Sequence, residues 1–212
     1  MTPKSFFRLR GQRVVEALIK NEFEAFYCDT REEAVEEVLK RASSNLKVGI
    51  GGSVTIRELG LGEQLKIKGC RVYDLFEKGL SREEMPAVRQ EHITADLFLT
   101  STNAITLKGQ LVNIDNSGNR VASMIFGPGQ VVVVAGINKV VTDLEAALDR
   151  IKSYTAPRLA GYLGLKAPCA GTAYCQKCSP AHSICRVTTI IEARPKAMES
   201  FVVVLVGEQL GF

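Results

Sequence analysis

Lys47-Val48-Gly49-Ile50-Gly51-Gly52-Ser53-Val54-Thr55 packs an apolar run, a glycine pair and two hydroxyls into nine residues. Lys47–Ile50 reads as a buried strand, Gly51-Gly52-Ser53 as a turn, and Thr55–Leu59 as the opening of a helix. A strand running through a glycine turn into a helix is the β-to-α junction from which α/β domains are built. Glycines let a backbone approach a ligand closely and take positive φ. A helix N-terminus offers free N–H groups to phosphates and carboxylates, and Ser53 and Thr55 add hydroxyls. A tight turn with Ser53 as a plain N-cap accounts for the same residues. The spacing matches neither a dinucleotide fingerprint nor a Walker A loop.

Outward from this junction, helix and strand alternate. Gln12–Asn21 carries a helical stripe of Val14, Val15, Leu18 and Ile19. Phe23–Cys28 is strand-like, and Thr30 with Glu33 forms a capping box for a helix reaching Ser43. Cys70–Leu75 reads as a strand, Arg82–His92 as a helix and Asp96–Thr100 as a strand. The middle carries alternation with turn signals. Leu111–Ile114 and Arg120–Ile125 are expected to be arms of a hairpin or meander. Gln130–Gly136 is apolar throughout, as in a parallel strand covered on both faces. Asp143–Tyr154 is a helix, and Arg186–Ile191 and Phe201–Gly207 are final strands. The expectation is a three-layer α/β domain over residues 1–212. Its mostly parallel central sheet would contain Val48–Ile50, Leu97–Thr100 and Val131–Ala135, with a β-hairpin and a cysteine-rich loop at 167–187 added.

The chain has 212 residues, enough for a sizeable core, and a net charge of +4, too mild to argue for nucleic acid. No dense basic run with interleaved aromatics is present. The N-terminal residues lack an apolar h-region, and Val131–Ile137 and Phe201–Val206 are too short to span a bilayer. The expected compartment is the reducing cytoplasm.

That compartment bears on the last quarter of the chain, where Cys169, Cys175, Cys178 and Cys185 form a C-x5-C-x2-C-x6-C pattern. Four thiolates from a turn-rich loop suit a tetrahedral zinc or a cubane iron–sulfur cluster. A pair of disulfides is the alternative, less at home in a reducing compartment. His182 lies inside the loop and could replace one thiolate. Cys28 and Cys70 are expected to stay apart as packed thiols, and His92, in a charged stretch, to lie at the surface.

Further polar clusters follow the strands. Ser101, Asn103 and their neighbours end one strand, so they can share a rim with Gly51, Gly52, Ser53 and Thr55. Asn113 and Asp115 fall on one strand face by alternation. Lys139 could reach an anion at the end of the Val131–Val134 strand, although a solvated lysine is commoner there. These residues are expected to border one pocket for a small anionic or polar metabolite. Asp115 is the candidate for proton chemistry.

Gly49-x-Gly-Gly-Ser-x-Thr, Ser101-x-Asn-Ala-Ile-Thr, Leu111-Val-Asn-x-Asp, Gly118-Asn-Arg, Gly127-Pro and Gly136-x-Asn-Lys occur here in that order. The combined order resembles the LUD domain of LutC-type lactate-utilization proteins, over roughly residues 10 to 212. The terminal Gly207-Glu-Gln-Leu-Gly-Phe212 resembles it too. The resemblance implies a fold similar to the sugar isomerase and CoA-transferase-like α/β proteins. It implies a role in oxidising L-lactate to pyruvate beside partner proteins that carry iron–sulfur clusters, and supplies no agreed catalytic residue. Gly49–Thr55 is similar to, but departs from, the phosphate turn of ribose-5-phosphate isomerase. The cysteine loop resembles that of LUD proteins with a C-terminal cysteine motif, and the tie to electron transfer implies [4Fe–4S] rather than zinc. Two other readings stand beside a lactate-utilization subunit. One is an independent enzyme acting on a sugar phosphate or acyl compound. The other is a zinc-stapled binding or scaffold protein.

Overall fold

The computed structural model describes residues Met1–Phe212. In chain order the elements are α1 (Pro3–Lys20), β1 (Glu24–Cys28), α2 (Arg31–Leu39), β2 (Lys47–Ile50), α3 (Val54–Glu58), α4 (Leu61–Ile67) and β3 (Arg71–Asp74). There follow α5 (Met85–Ile93), β4 (Leu97–Thr100), β5 (Ala104–Thr106), β6 (Leu111–Asp115), α6 (Asn119–Ile125) and β7 (Gln130–Gly136). A 3₁₀ turn at Ile137–Lys139 leads to β8 (Val140–Val141) and α7 (Leu144–Arg150). A π-helical turn, Ile151–Thr155, joins α7 to α8 (Ala156–Tyr162), and α9 (Pro168–Thr172), β9 (Val187–Ile191) and β10 (Ser200–Val206) complete the chain.

The central sheet has six strands in the order β1-β10-β7-β4-β2-β3. Every pairing in it is parallel. Residues of alternate parity feed two cores, as period-two alternation requires. Val48, Ile50, Leu97, Leu99, Val132, Val134, Val202 and Val204 pack with Ala34, Val38, Ile56, Leu61 and Leu65 of the helices on one face. Phe98, Val131, Val133, Phe201, Val203 and Leu205 face the other way, against Val14 and Leu18 of α1, Met124 of α6, and Ile105, Leu111 and Ile191 of a second sheet. That second sheet has four strands in the order β8-β5-β6-β9. The three-layer α/β expectation holds. Cys28 and Cys70 are buried in the first core, and all six thiols are free. No helix is long and apolar enough to cross a membrane.

Three expectations are corrected. Arg120–Ile125 is not a hairpin arm but helix α6. Gly118 takes the left-handed conformation (φ 77°) that starts the helix, and Val121 and Met124, three apart, are the buried apolar residues. Seven residues are too few for period two and period 3.6 to be told apart by eye. The antiparallel partners of β6 are β5 and β9. His92 is fully buried rather than at the surface, beneath Gly49 and against Phe98. The helix drawn from Gln12 begins at Pro3, with Thr2 as its N-cap.

Gly51 is a glycine because of Phe98. A Cβ at Gly51 would lie 2.6 Å from the ring's Cζ, and the backbone there has no positive φ. Gly51→Ala should therefore destabilise the fold by about 1–3 kcal/mol through overpacking, measured by urea denaturation. A change below ~0.5 kcal/mol would show that Phe98 has room to yield.

Candidate functional site

Because β3, β2, β4 and β7 run parallel as neighbours, their C-terminal ends share one edge of the sheet. Connections leave β2 and β4 towards opposite sides of the sheet, the switch-point geometry at which α/β proteins hold ligands. A cleft of about 530 Å³ opens there. It is lined by Gly51, Gly52, Ser53 and Thr55 after β2, Ser101 and Asn103 after β4, Asp115 at the end of β6, and Lys139 after β7. Asn113 is the one expected residue that stays behind the wall. Its Oδ1 accepts the Asn103 N–H at 3.1 Å, which shapes the turn without reaching the cleft. Gly52 takes a positive φ (27°). Helix α3 is only five residues long, and the Ser53 hydroxyl caps the Ile56 N–H, so little of a helix dipole is free for an anion.

The charge of the cleft comes from side chains. Arg82, Arg89, Arg120 and Lys139 line it, against Asp115 as the one side-chain carboxylate. Asp115 is already committed. Its Oδ1 accepts from Arg120 Nε at 2.9 Å and Nη2 at 2.5 Å, and its Oδ2 accepts from the Val121 N–H at 3.2 Å. Arg120 also donates to Ser101 O at 3.0 Å and to Asn103 Oδ1 at 2.9 Å. The Asp115–Arg120 pair thus pins the β4–β5 turn to the end of β6. The carboxylate proposed from sequence for proton transfer has both oxygens occupied in holding this floor. Arg89 contrasts with it, since its Nε is buried without a hydrogen-bond partner and no carboxylate pairs with it.

Lys139 is 3% exposed. The 3₁₀ turn rotates it inward, and its Nζ donates to Thr55 Oγ1 and Ser101 Oγ, each at 2.8 Å. Burial pushes its pKa down to about 7, Arg150 and Arg120 add repulsion, and Glu58 opposes them. The solvated-lysine reading is corrected; the sequence signal was the apolar run on both sides of the residue.

Sequence reasoning missed several lining groups. Arg89 lies on the short helix α5, where a charged residue reads as solvent-facing. Thr155 belongs to the π-helical turn, and Arg150 donates to it at 2.7 Å and to Asn103 O at 2.7 Å. Pro157, which has no N–H, sits at the first turn of α8 and denies Ser153 O its helical partner. Phe212 reaches the cleft mouth, edge-on to Tyr162 and under the Arg158 guanidinium.

A second cavity, of about 430 Å³, adjoins the first. Cys169, Cys175, Cys178 and Cys185 all line it, whereas His182 is exposed and bonded to Ser179. As the side chains stand, no three of them are set to hold a metal ion. The donor set nevertheless fits a thiophilic metal or cluster, because four free thiols open on one space. Burial pushes the Cys185 and Cys169 thiols up, and the other cysteines of the loop push them further. A cation in their midst would reverse that repulsion. The loop is closed by β9 pairing with β6, and Arg186 N–H donates to Asp115 O at 2.9 Å. That closure brings Ile184 and Cys185 into the lining of both cavities.

His92 supports the site from below. It bonds Tyr73 O at 3.0 Å through Nε2, leaving Nδ1 buried and unpaired. Burial pulls its pKa from the ordinary 6.5 to about 4, the Arg89 charge also lowers it, and the Tyr73 carbonyl raises it. Between these values the unfolded chain binds a proton that the fold refuses. Stability is therefore intact above pH 6.5 and falls by about 2–3 kcal/mol as the pH drops to 4. His92→Gln should flatten that part of a urea-denaturation pH series; an unchanged slope would assign the loss to other groups.

A family model of the LUD domain matches residues 11–206. Among solved structures, the chain is similar to a DUF162 family protein from Deinococcus radiodurans. The two are 12% identical, with a TM-score of 0.55, over 95% of this chain and 98% of that one. At that identity the likeness speaks for the fold alone. No curated protein matches the chain.

Proposed function

Because the chain belongs to the LUD-domain family, associated generally with lactate utilization, we propose that its cleft binds a small carboxylate of the 2-hydroxy or 2-oxo acid kind. We further propose that the cysteine loop carries a [4Fe–4S] cluster beside it, within an iron–sulfur system that oxidises L-lactate to pyruvate. One observation carries the ligand class: the Arg82 and Arg89 guanidinium groups line the cleft without an ion-pair partner, and the one side-chain carboxylate there is spent on Arg120. Such a cleft has charge and donors to spare for an anion. Arg89 has the free guanidinium that a carboxylate can take in bidentate fashion. Ser53 and Ser101 offer hydroxyls to a 2-hydroxyl or 2-oxo group. Phe76, Leu159, Leu163 and Phe212 give the cleft apolar walls that keep water from the ligand.

Cys169, Cys175, Cys178 and Cys185 would hold the cluster, which when bound supplies one-electron transfer. Ile184 and Cys185 would then separate it from the ligand by little more than a shared wall. A zinc ion held by the same thiolates would leave the loop a staple with no electron to pass. The cleft's anion specificity is tested by ligand-observed NMR with L-lactate, pyruvate and glycerol. Saturation transfer to both acids, weakening with added salt, with none to glycerol, supports the reading. Equal transfer to glycerol contradicts it.

A further inference from the structure

Lys139 does more than line the cleft. An ammonium carries three N–H donors and no lone pair, whereas a neutral amine carries two donors and one lone pair. The site offers Nζ two acceptors, Thr55 Oγ1 and Ser101 Oγ. No carboxylate lies within ion-pairing distance of it; Glu58, the acid whose charge reaches it, accepts the Gly211 N–H at 2.7 Å instead. Protonation would replace the lone pair with a third N–H turned toward the cleft, where no further protein acceptor meets it. The hydrogen-bond inventory is thus that of a neutral amine with its lone pair free, at the wall of a cleft that takes small acids. The depressed pKa agrees with that inventory. A desolvated lysine near other cations is the usual form of an amine nucleophile towards carbonyl carbon.

We propose that Lys139 forms an imine with the carbonyl carbon of a 2-oxo carboxylate bound in the cleft. This rests on the small-carboxylate reading and adds a covalent step to it. The Nζ lone pair adds to C2, and the proton lost by nitrogen passes to the former carbonyl oxygen, giving a carbinolamine. That hydroxyl leaves as water with one proton from solvent, and the nitrogen lone pair closes the C=N bond. Amine, ketone and one proton give a protonated imine and water, so no oxidant or reductant enters. The Thr55 and Ser101 hydroxyls, in contact with Nζ, are placed to relay the protons. A 2-hydroxy acid would occupy the same cleft without bonding.

The test is reductive trapping. The full chain is incubated with pyruvate and then with sodium borohydride, which fixes an imine as a secondary amine, and the adduct is mapped by peptide mass spectrometry. The expected result is one adduct per chain, on Lys139. It should be absent with L-lactate alone and suppressed when excess L-lactate competes with pyruvate. Lys139→Arg, which keeps N–H donors at the position but has no nucleophilic lone pair, should lose the adduct. Binding of pyruvate and L-lactate is followed in parallel by ligand-observed NMR. If both acids bind but Lys139 stays unmodified, or adducts are scattered over surface lysines, the imine is overturned and the carboxylate reading stands. If neither acid binds, both fall together.

Discussion

Replacing Arg120 with Met should cost the fold about 3–5 kcal/mol, because it strands a buried carboxylate. The Asp115 side chain is 7% exposed and that of Arg120 is 14% exposed, so water cannot repair the loss. The substitution also removes the donors that hold Ser101 O and Asn103 Oδ1, which form the rim of the cleft. Asp115 would keep only the Val121 N–H. Asp115→Asn should cost less, since the amide oxygen still accepts a bond while the charge is gone. The two changes together should cost less than their sum, by ~2 kcal/mol or more, in a double-mutant cycle read by urea denaturation. Arg120→Met costing under ~1 kcal/mol would mean that the pair is not the floor of the site.

The second large effect concerns the cysteine loop. Protein purified without oxygen should carry iron and acid-labile sulfide in equal amounts, and Cys178→Ser should carry neither. The α/β body should survive the change. Cys178 lies in the loop at 167–187, whereas the two main cores draw on α1–α4, α6 and the sheets. The loop is tied down by a small cluster around Ala160, Ala167 and Cys169 and by its closure onto β6, not by the thiols alone. Far-ultraviolet circular dichroism should therefore be close to that of the parent, while the loop becomes more susceptible to protease. Zinc in place of iron would keep the site and remove its redox role. Neither metal in anaerobic protein, or full metal content in Cys178→Ser, would overturn the metal reading.

The parallel sheet was legible because strands covered on both faces are apolar throughout. Val131–Val134 and Val202–Val204 can be nothing else in a chain that also alternates with helices. The rim was legible for a related reason: Gly51–Ser53 and Ser101–Asn103 both end apolar strands, and parallel strands end together. Other features were hidden by the way local pattern works. Arg120–Ile125 is too short to declare its period, and a glycine such as Gly118 suits a turn as well as a helix start. Lys139 and His92 are polar residues whose burial depends on a 3₁₀ turn and on Gly49 above the imidazole, neither of which composition reveals. Arg89 shows no sign in sequence of its missing partner. Asn113 was placed in the cleft by alternation alone, which gives the face of a strand but not what lies in front of it.

The cleft is proposed to take a small carboxylate through its unpaired guanidinium groups, Arg82 and Arg89. Calorimetric titration of the full chain with L-lactate and with pyruvate, at pH 7 and low salt, tests it most directly when Arg89→Met is measured alongside. Arg89 makes no hydrogen bond through Nε and no ion pair, so the substitution spares the fold. A charge-assisted bond to the ligand is worth roughly 1.5–3 kcal/mol, so binding should weaken by at least about tenfold. Binding of one acid per chain should be saturable, diminished by salt and largely lost in Arg89→Met. No heat with either acid, or binding that Arg89→Met leaves unchanged, would contradict it.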